Sequence, residues 1–141
     1  MADHLHQTIK TKSIRQIKPE NEYSSALDDM DAVTLISVIG EGSYGSVYLG
    51  QTGERLVAVK CAQKIVDEDT VRMISNEAKK WLAIPPHKNI VPLLGYCFNT
   101  DYPFLVMPYM KNGNAFEYVC RNRDLDLYTR VNIMVDITKG L

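Results

Sequence analysis

A chain of 141 residues with 45% apolar content fits one ordinary globular domain and is too apolar to be disordered. Its 16 basic and 17 acidic residues leave a net charge of -1, which argues against a nucleic-acid footprint, since that needs a clustered basic excess. Cys61, Cys97 and Cys120 are odd in number, far apart and without CxxC or metal spacing, so a reducing intracellular setting is expected and metal ligands are not. The N-terminus, MADHLHQTIK, has no apolar h-region, and no apolar run reaches the length of a membrane span. The expectation is a soluble protein, cytoplasmic or nuclear, with no membrane segment in this chain, although a distant anchor is left open.

Residues 1 to about 30 are polar, basic first (Lys10, Lys12, Arg15, Lys18) and then acidic (Glu20, Glu22, Asp28, Asp29). Ile9, Ile14 and Ile17 would suit a short strand or helix, but the composition favours a flexible arm. Val33–Ile39 is β-rich and ends in a glycine cluster. Ser46–Gly50 and Leu56–Lys60 read as two more strands, with the turn residues 51–55 between them. Three strands in immediate succession imply an antiparallel meander. Between Asp69 and Ile84 the period changes. Val71, Ile74, Ala78, Trp81 and Leu82 make one helical face, acidic residues 67–69 favour its start, and Pro85-Pro86 stops it. Asn89–Phe98 and Pro103–Met107 look like two further strands around a turn at 99–101. After a break at 111–114, a short helix over Ala115–Cys120 and a final helix from Leu127 are expected, the latter apolar at 127, 131, 134, 137 and 141.

Three features carry chemistry. Gly40-Glu41-Gly42-Ser43-Tyr44-Gly45-Ser46-Val47 is a GxGxxG turn. Alone it is weak, because a dinucleotide-binding fold shares it, and a glycine hairpin can also lack a ligand. A dinucleotide fold, however, runs its third glycine into a helix, whereas here Val47-Tyr48-Leu49 continues as a strand. A glycine hairpin between two strands can offer backbone N–H groups to phosphates without obstruction from side chains. Val57-Ala58-Val59-Lys60 places a lysine at the end of the next strand, where an antiparallel neighbour would bring its ammonium beneath the turn; most such lysines are simply solvated. Glu77 lies at the edge of the helical apolar face, from which it could reach Lys60 or face solvent.

Together GxGxxGxV, VAxK and a helical Glu resemble the protein kinase family. His87–Tyr96 is similar to the loop and strand after the family's regulatory helix, and Leu105–Gly113 to its fifth strand and hinge. The phrasing is most like the tyrosine-kinase-like serine/threonine group and the tyrosine kinases. The resemblance covers about residues 33 to 141. It implies an α+β fold: a five-stranded antiparallel sheet with one packed regulatory helix over residues 31–111, hinge included. The beginning of a truncated large lobe would follow over 112–141.

The resemblance also implies roles. The backbone of Gly40, Glu41, Gly42, Ser43, Tyr44 and Gly45 would cover the phosphates of ATP, and Ile39 and Ser46 beside it would also belong to the binding site. Val47 and Ala58 would roof the adenine, Lys60 would hold the α- and β-phosphates, and Glu77 would fix Lys60. Met107 would be the gatekeeper, the backbone of Pro108 and Met110 would bond the adenine edge, and Asn114 would approach the ribose. The partners implied are ATP and a protein substrate or kinase partner.

The same resemblance calls for an HRDxxxxN loop, a DFG segment and an APE segment, none of which the sequence contains. The Mg2+ ligands belong to those motifs, so Mg2+ is expected only in the full-length family context. Arg123-Asp124-Leu125 imitates part of the catalytic loop, but Asn122 replaces its His and Thr129 its metal-binding Asn, and it comes too early in the chain. It reads as a charged loop. The last helix ends with its apolar pattern unfinished, with Gly140 as a possible C-cap. The chain therefore reads as a fragment or truncated product, of low stability and prone to aggregate or seek a partner. The leading expectation is the ATP-binding portion of a protein kinase, inactive alone. A truncated kinase-like module binding nucleotide or a partner is the alternative, and a dinucleotide-dependent oxidoreductase is a distant third.

Overall fold

The structure is a computed structural model that describes residues 8–10, 15–16, 32–42, 45–62, 67–98 and 103–141. Seven strands form one sheet: β1 (Thr8–Lys10), β2 (Arg15–Gln16), β3 (Ala32–Gly42), β4 (Gly45–Thr52), β5 (Arg55–Ala62), β6 (Gly95–Cys97) and β7 (Phe104–Pro108). Their order is β1-β3-β4-β5-β7-β6-β2, and every neighbouring pair is antiparallel. β3 to β7 are the five strands expected from the sequence. The sheet is larger than expected, because β1 and β2 come from the segment read as a flexible arm and pair at opposite edges. The rest of that segment lies outside the described residues.

Two strands differ in detail. β3 is interrupted by register shifts at Leu35/Ser37 and Val38/Gly40, which leave Ile36 and Ile39 as extra residues. Such bulges bend a strand and increase its twist. β6 is shorter than the expected Asn89–Phe98. His87 gathers the backbone that follows it, its carbonyl accepting from Ile90 N–H at 3.0 Å and its Nδ1 from Asn89 N–H at 3.1 Å. Pro92 then has no N–H to give a ladder.

The helix α1 (Glu68–Leu82) starts one residue earlier than its apolar period suggests, because Asp67 caps it by accepting from Thr70 N–H at 2.7 Å. Ile74 and Ala78 are buried against Ala62, Leu93 and Leu105, with Trp81, Tyr96, Phe98 and Met107 half-buried around them. Leu82, counted in the apolar face from its spacing, stays exposed. The opposite face of the sheet holds Val33, Leu35, Val57, Val59, Cys61, Leu94, Cys97, Phe104 and Val106. The two cores alternate along β7, with Phe104 and Val106 on one side and Leu105 and Met107 on the other, as the period of two requires.

The chain divides into two compact units, residues 1–86 with 92–109, and residues 87–91 with 110–141. The second contains α2 (Ala115–Arg121) and α3 (Leu127–Gly140), capped by Asn114 and Asp126. Between them, residues 123–125 form a turn closed by Arg130, whose Nε and Nη2 donate to the carbonyls of Leu125 and Arg123 at 3.0 and 2.8 Å. Gly140 lies within α3, where a Cβ would come 2.6 Å from the Asn89 carbonyl oxygen. The apolar stripe of α3, Leu127, Val131, Met134 and Ile137, is exposed.

Candidate functional site

β3 ends at Gly42 and β4 begins at Gly45, and the two glycines pair with each other. Ser43 and Tyr44 lie outside the described residues. Two rungs back, past Glu41 and Ser46, Gly40 faces Val47, and Val47 in turn faces Lys60 on β5. The glycine strand, the apolar Val47 and the lysine therefore share one line across three strands. The Lys60 rung continues to Leu105 on β7, and two rungs along Leu49 faces Ala58, which faces Met107. Because side chains alternate faces, Val47, Ala58, Lys60, Leu105 and Met107 share the face that α1 covers.

That face brings Lys60 to Glu77. The Nζ donates to Oε1 at 2.8 Å and to Oε2 at 2.9 Å, with both side chains partly exposed. Glu77 reaches across because the residue after it, Ala78, is 1% exposed and lets α1 sit close to the sheet. Cys61 points to the other face, where burial pushes its thiol up to about 12. It is an uncharged packing residue beside the charged pair.

The three glycines of the turn have different physical requirements. At Gly45, φ is 150° and a Cβ would lie 2.1 Å from the Cys61 carbonyl oxygen, so the fold itself demands glycine. At Gly40 the nearest atom to a Cβ would be Val47 Cβ at 3.7 Å, and at Gly42 it would be the Gly45 carbonyl oxygen at 3.9 Å. Neither has a positive φ. The fold leaves room for a side chain at both, and that room fits a group that needs close approach to backbone N–H groups. A phosphate is such a group.

Other residues singled out in the sequence fall as follows. Ile39 is the second bulged residue of β3 and is exposed, as is Glu41, which pairs with Ser46. Pro108 ends β7, opposite Val57. Met110 and Asn114 belong to the second unit. Asn114 Oδ1 accepts from Glu117 N–H at 2.8 Å as the cap of α2. Leu105 and Ala78 shape the α1 face of the site, and the sequence reading gave them no functional weight. The alternation of residues 104–107 was the available signal for Leu105. Among the described residues, no group of three or more His, Cys, Asp or Glu could hold a metal ion. No described helix is long and apolar enough to cross a membrane.

A family model described as protein tyrosine and serine/threonine kinase matches residues 33–141. The chain is 43% identical over 115 residues to wall-associated receptor kinase-like 10 of Arabidopsis thaliana, covering 77% of this chain and 14% of that protein. It is 38% identical over 110 residues to nodulation receptor kinase of Pisum sativum, covering 74% and 12%. With wall-associated receptor kinase-like 6 of Arabidopsis thaliana it is 33% identical over 147 residues, covering 97% and 22%. The chain thus spans less than a quarter of the length of each of these relatives.

Proposed function

The chain belongs to the protein tyrosine and serine/threonine kinase family, and from that premise we propose that its first unit is the ATP-binding portion of a protein kinase. The observation that carries this reading is the Lys60–Glu77 pair, two-pronged at 2.8 and 2.9 Å, on the same rung as the glycine strand. Bound ATP would supply the γ-phosphoryl group for transfer to a protein hydroxyl. Gly40 and Gly42 would let the phosphates approach the turn backbone, and Lys60, held by Glu77, would neutralise phosphate charge. Val47 and Ala58 would present an apolar surface to the base, with Met107 beyond Ala58.

Groups that orient the attacking hydroxyl and hold magnesium are assigned by the family pattern to motifs absent from this sequence. We therefore expect these residues to bind nucleotide and not to transfer phosphate by themselves. A protein substrate, and an intracellular setting on the pattern of receptor kinases, belong to the parent reaction. The setting is supported by the free thiols of Cys61, Cys97 and Cys120.

Titration of the purified chain with a fluorescent ATP analogue tests the reading. Saturable binding is expected, weakened by roughly tenfold or more in Lys60→Met through loss of a charge-assisted contact. Absence of saturable binding, or equal binding by Lys60→Met, would overturn it. Robust phosphorylation of a protein by the intact chain, abolished in Lys60→Met, would overturn the expectation of inactivity.

A further inference from the structure

β1 and β2 are adjacent in sequence yet pair at opposite edges of the sheet. Thr8, Ile9 and Lys10 face Thr34, Val33 and Ala32 on β3. Arg15 and Gln16 face Tyr96 and Gly95 on β6. In a flat sheet seven strands wide the outer strands would stand about 29 Å apart, six spacings of about 4.8 Å. The chain from Lys10 to Arg15 can span at most about 18 Å. The two edges must therefore approach each other, and the sheet must curl.

Independent features agree with a curled sheet. Bulges at Ile36 and Ile39 bend β3. The face away from α1 buries Val33 of β3 and Cys97 of β6, the strands next to the two edges, in one cluster with Phe104 and Val106. Among the described residues no helix covers that face. α1 packs on the opposite one.

We propose that β1 and β2 act together as an intramolecular strap that holds the two edges of the sheet together, the docking of each favouring the docking of the other. The short connection promotes this coupling. Two or three residue pairs are too few to hold a free strand in place, but once one end is paired the other is held beside its edge at high effective concentration. The strap also covers backbone groups that an open edge would offer to another chain. β3 continues from its strapped end to Gly40 and Gly42, so the strap anchors the root of the glycine turn.

Hydrogen exchange on the 141-residue chain tests the coupling. Ile9→Pro removes a backbone donor from β1 and leaves β2 unchanged. Exchange is expected to rise by roughly tenfold both at residues 32–34 and at the remote residues 95–97, with Arg15→Pro giving the reciprocal result. A rise confined to the mutated edge would overturn the strap. So would fast exchange at both edges in the unmodified chain. Should either proline variant lose its sheet by circular dichroism, a variant with twelve Gly and Ser residues inserted after Lys12 decides. It retains both strands and lengthens only the connection. Faster exchange at both edges supports the strap, and unchanged exchange at both overturns it.

Discussion

At Gly45 the obstacle to a side chain is the Cys61 carbonyl on the neighbouring strand, whereas at Gly40 and Gly42 the described structure presents no obstacle. Substitution should therefore separate fold from binding. Gly45→Ala forces backbone apart and is expected to cost roughly 2 kcal/mol, seen as a lowered melting temperature. Gly42→Ala should leave the melting temperature almost unchanged and weaken nucleotide binding. Equal melting losses in the two variants would contradict the distinction. None of this was legible in the GxGxxG spelling, because the requirement at Gly45 comes from a residue 16 positions away that only the β4–β5 register brings close. Lys60 and Glu77 were more accessible to reading. One ends a strand, the other sits at the edge of an apolar helical face, and each position follows from a local period.

Among the elements, α1 sets the geometry of the pair. Ala78 has almost no exposed surface, and a larger residue there must lift the helix from β5 and β7. Ala78→Leu is expected to weaken nucleotide binding by roughly tenfold, equivalent to about 1.4 kcal/mol, with sheet content retained by circular dichroism. Unchanged affinity would detach the helix position from the site. α1 and α3 also carry acid-sensitive starts. Asp67 lies below its ordinary value of 3.8 because the Thr70 hydroxyl and then the Thr70 N–H donate to it. Asp126 is lowered by the N–H and then the hydroxyl of Thr129. A carboxylate depressed in the folded state stabilises it above the unfolded value, and the effect disappears as pH falls through the folded value. Acid titration followed by helical ellipticity should therefore show loss beginning below the ordinary value of 3.8. Asp67→Asn with Asp126→Asn retains capping oxygens and should flatten that loss; identical curves would remove the caps as its cause.

The long strands β3 to β5 and the helix α1 were legible because each repeats its period over many residues. β1 and β2 were not. Three residues and two residues carry almost no pattern, and what makes them strands is the pair of open edges beside them. Asn89–Leu94 looked strand-like by composition but is diverted by the His87 turn and by Pro92.

On the scale of the whole molecule, the first unit has two small cores and little reserve. Phe104 is fully buried between β5 and β6, and Phe104→Ala is expected to cost about 3–5 kcal/mol. Against a domain stability of roughly 5–15 kcal/mol, this should greatly reduce the urea midpoint of the first unit. A shift below about 1 kcal/mol would show that this core tolerates a cavity.

The pairing of Arg15 with Tyr96 has a consequence in time. β2 leaves the ribosome before its partner, which is synthesised roughly 80 residues later. Closing a loop of that length is slow compared with hairpins such as β3–β4. The meander and α1 can form while β2 still waits, so a strand made before the meander should find its place after it.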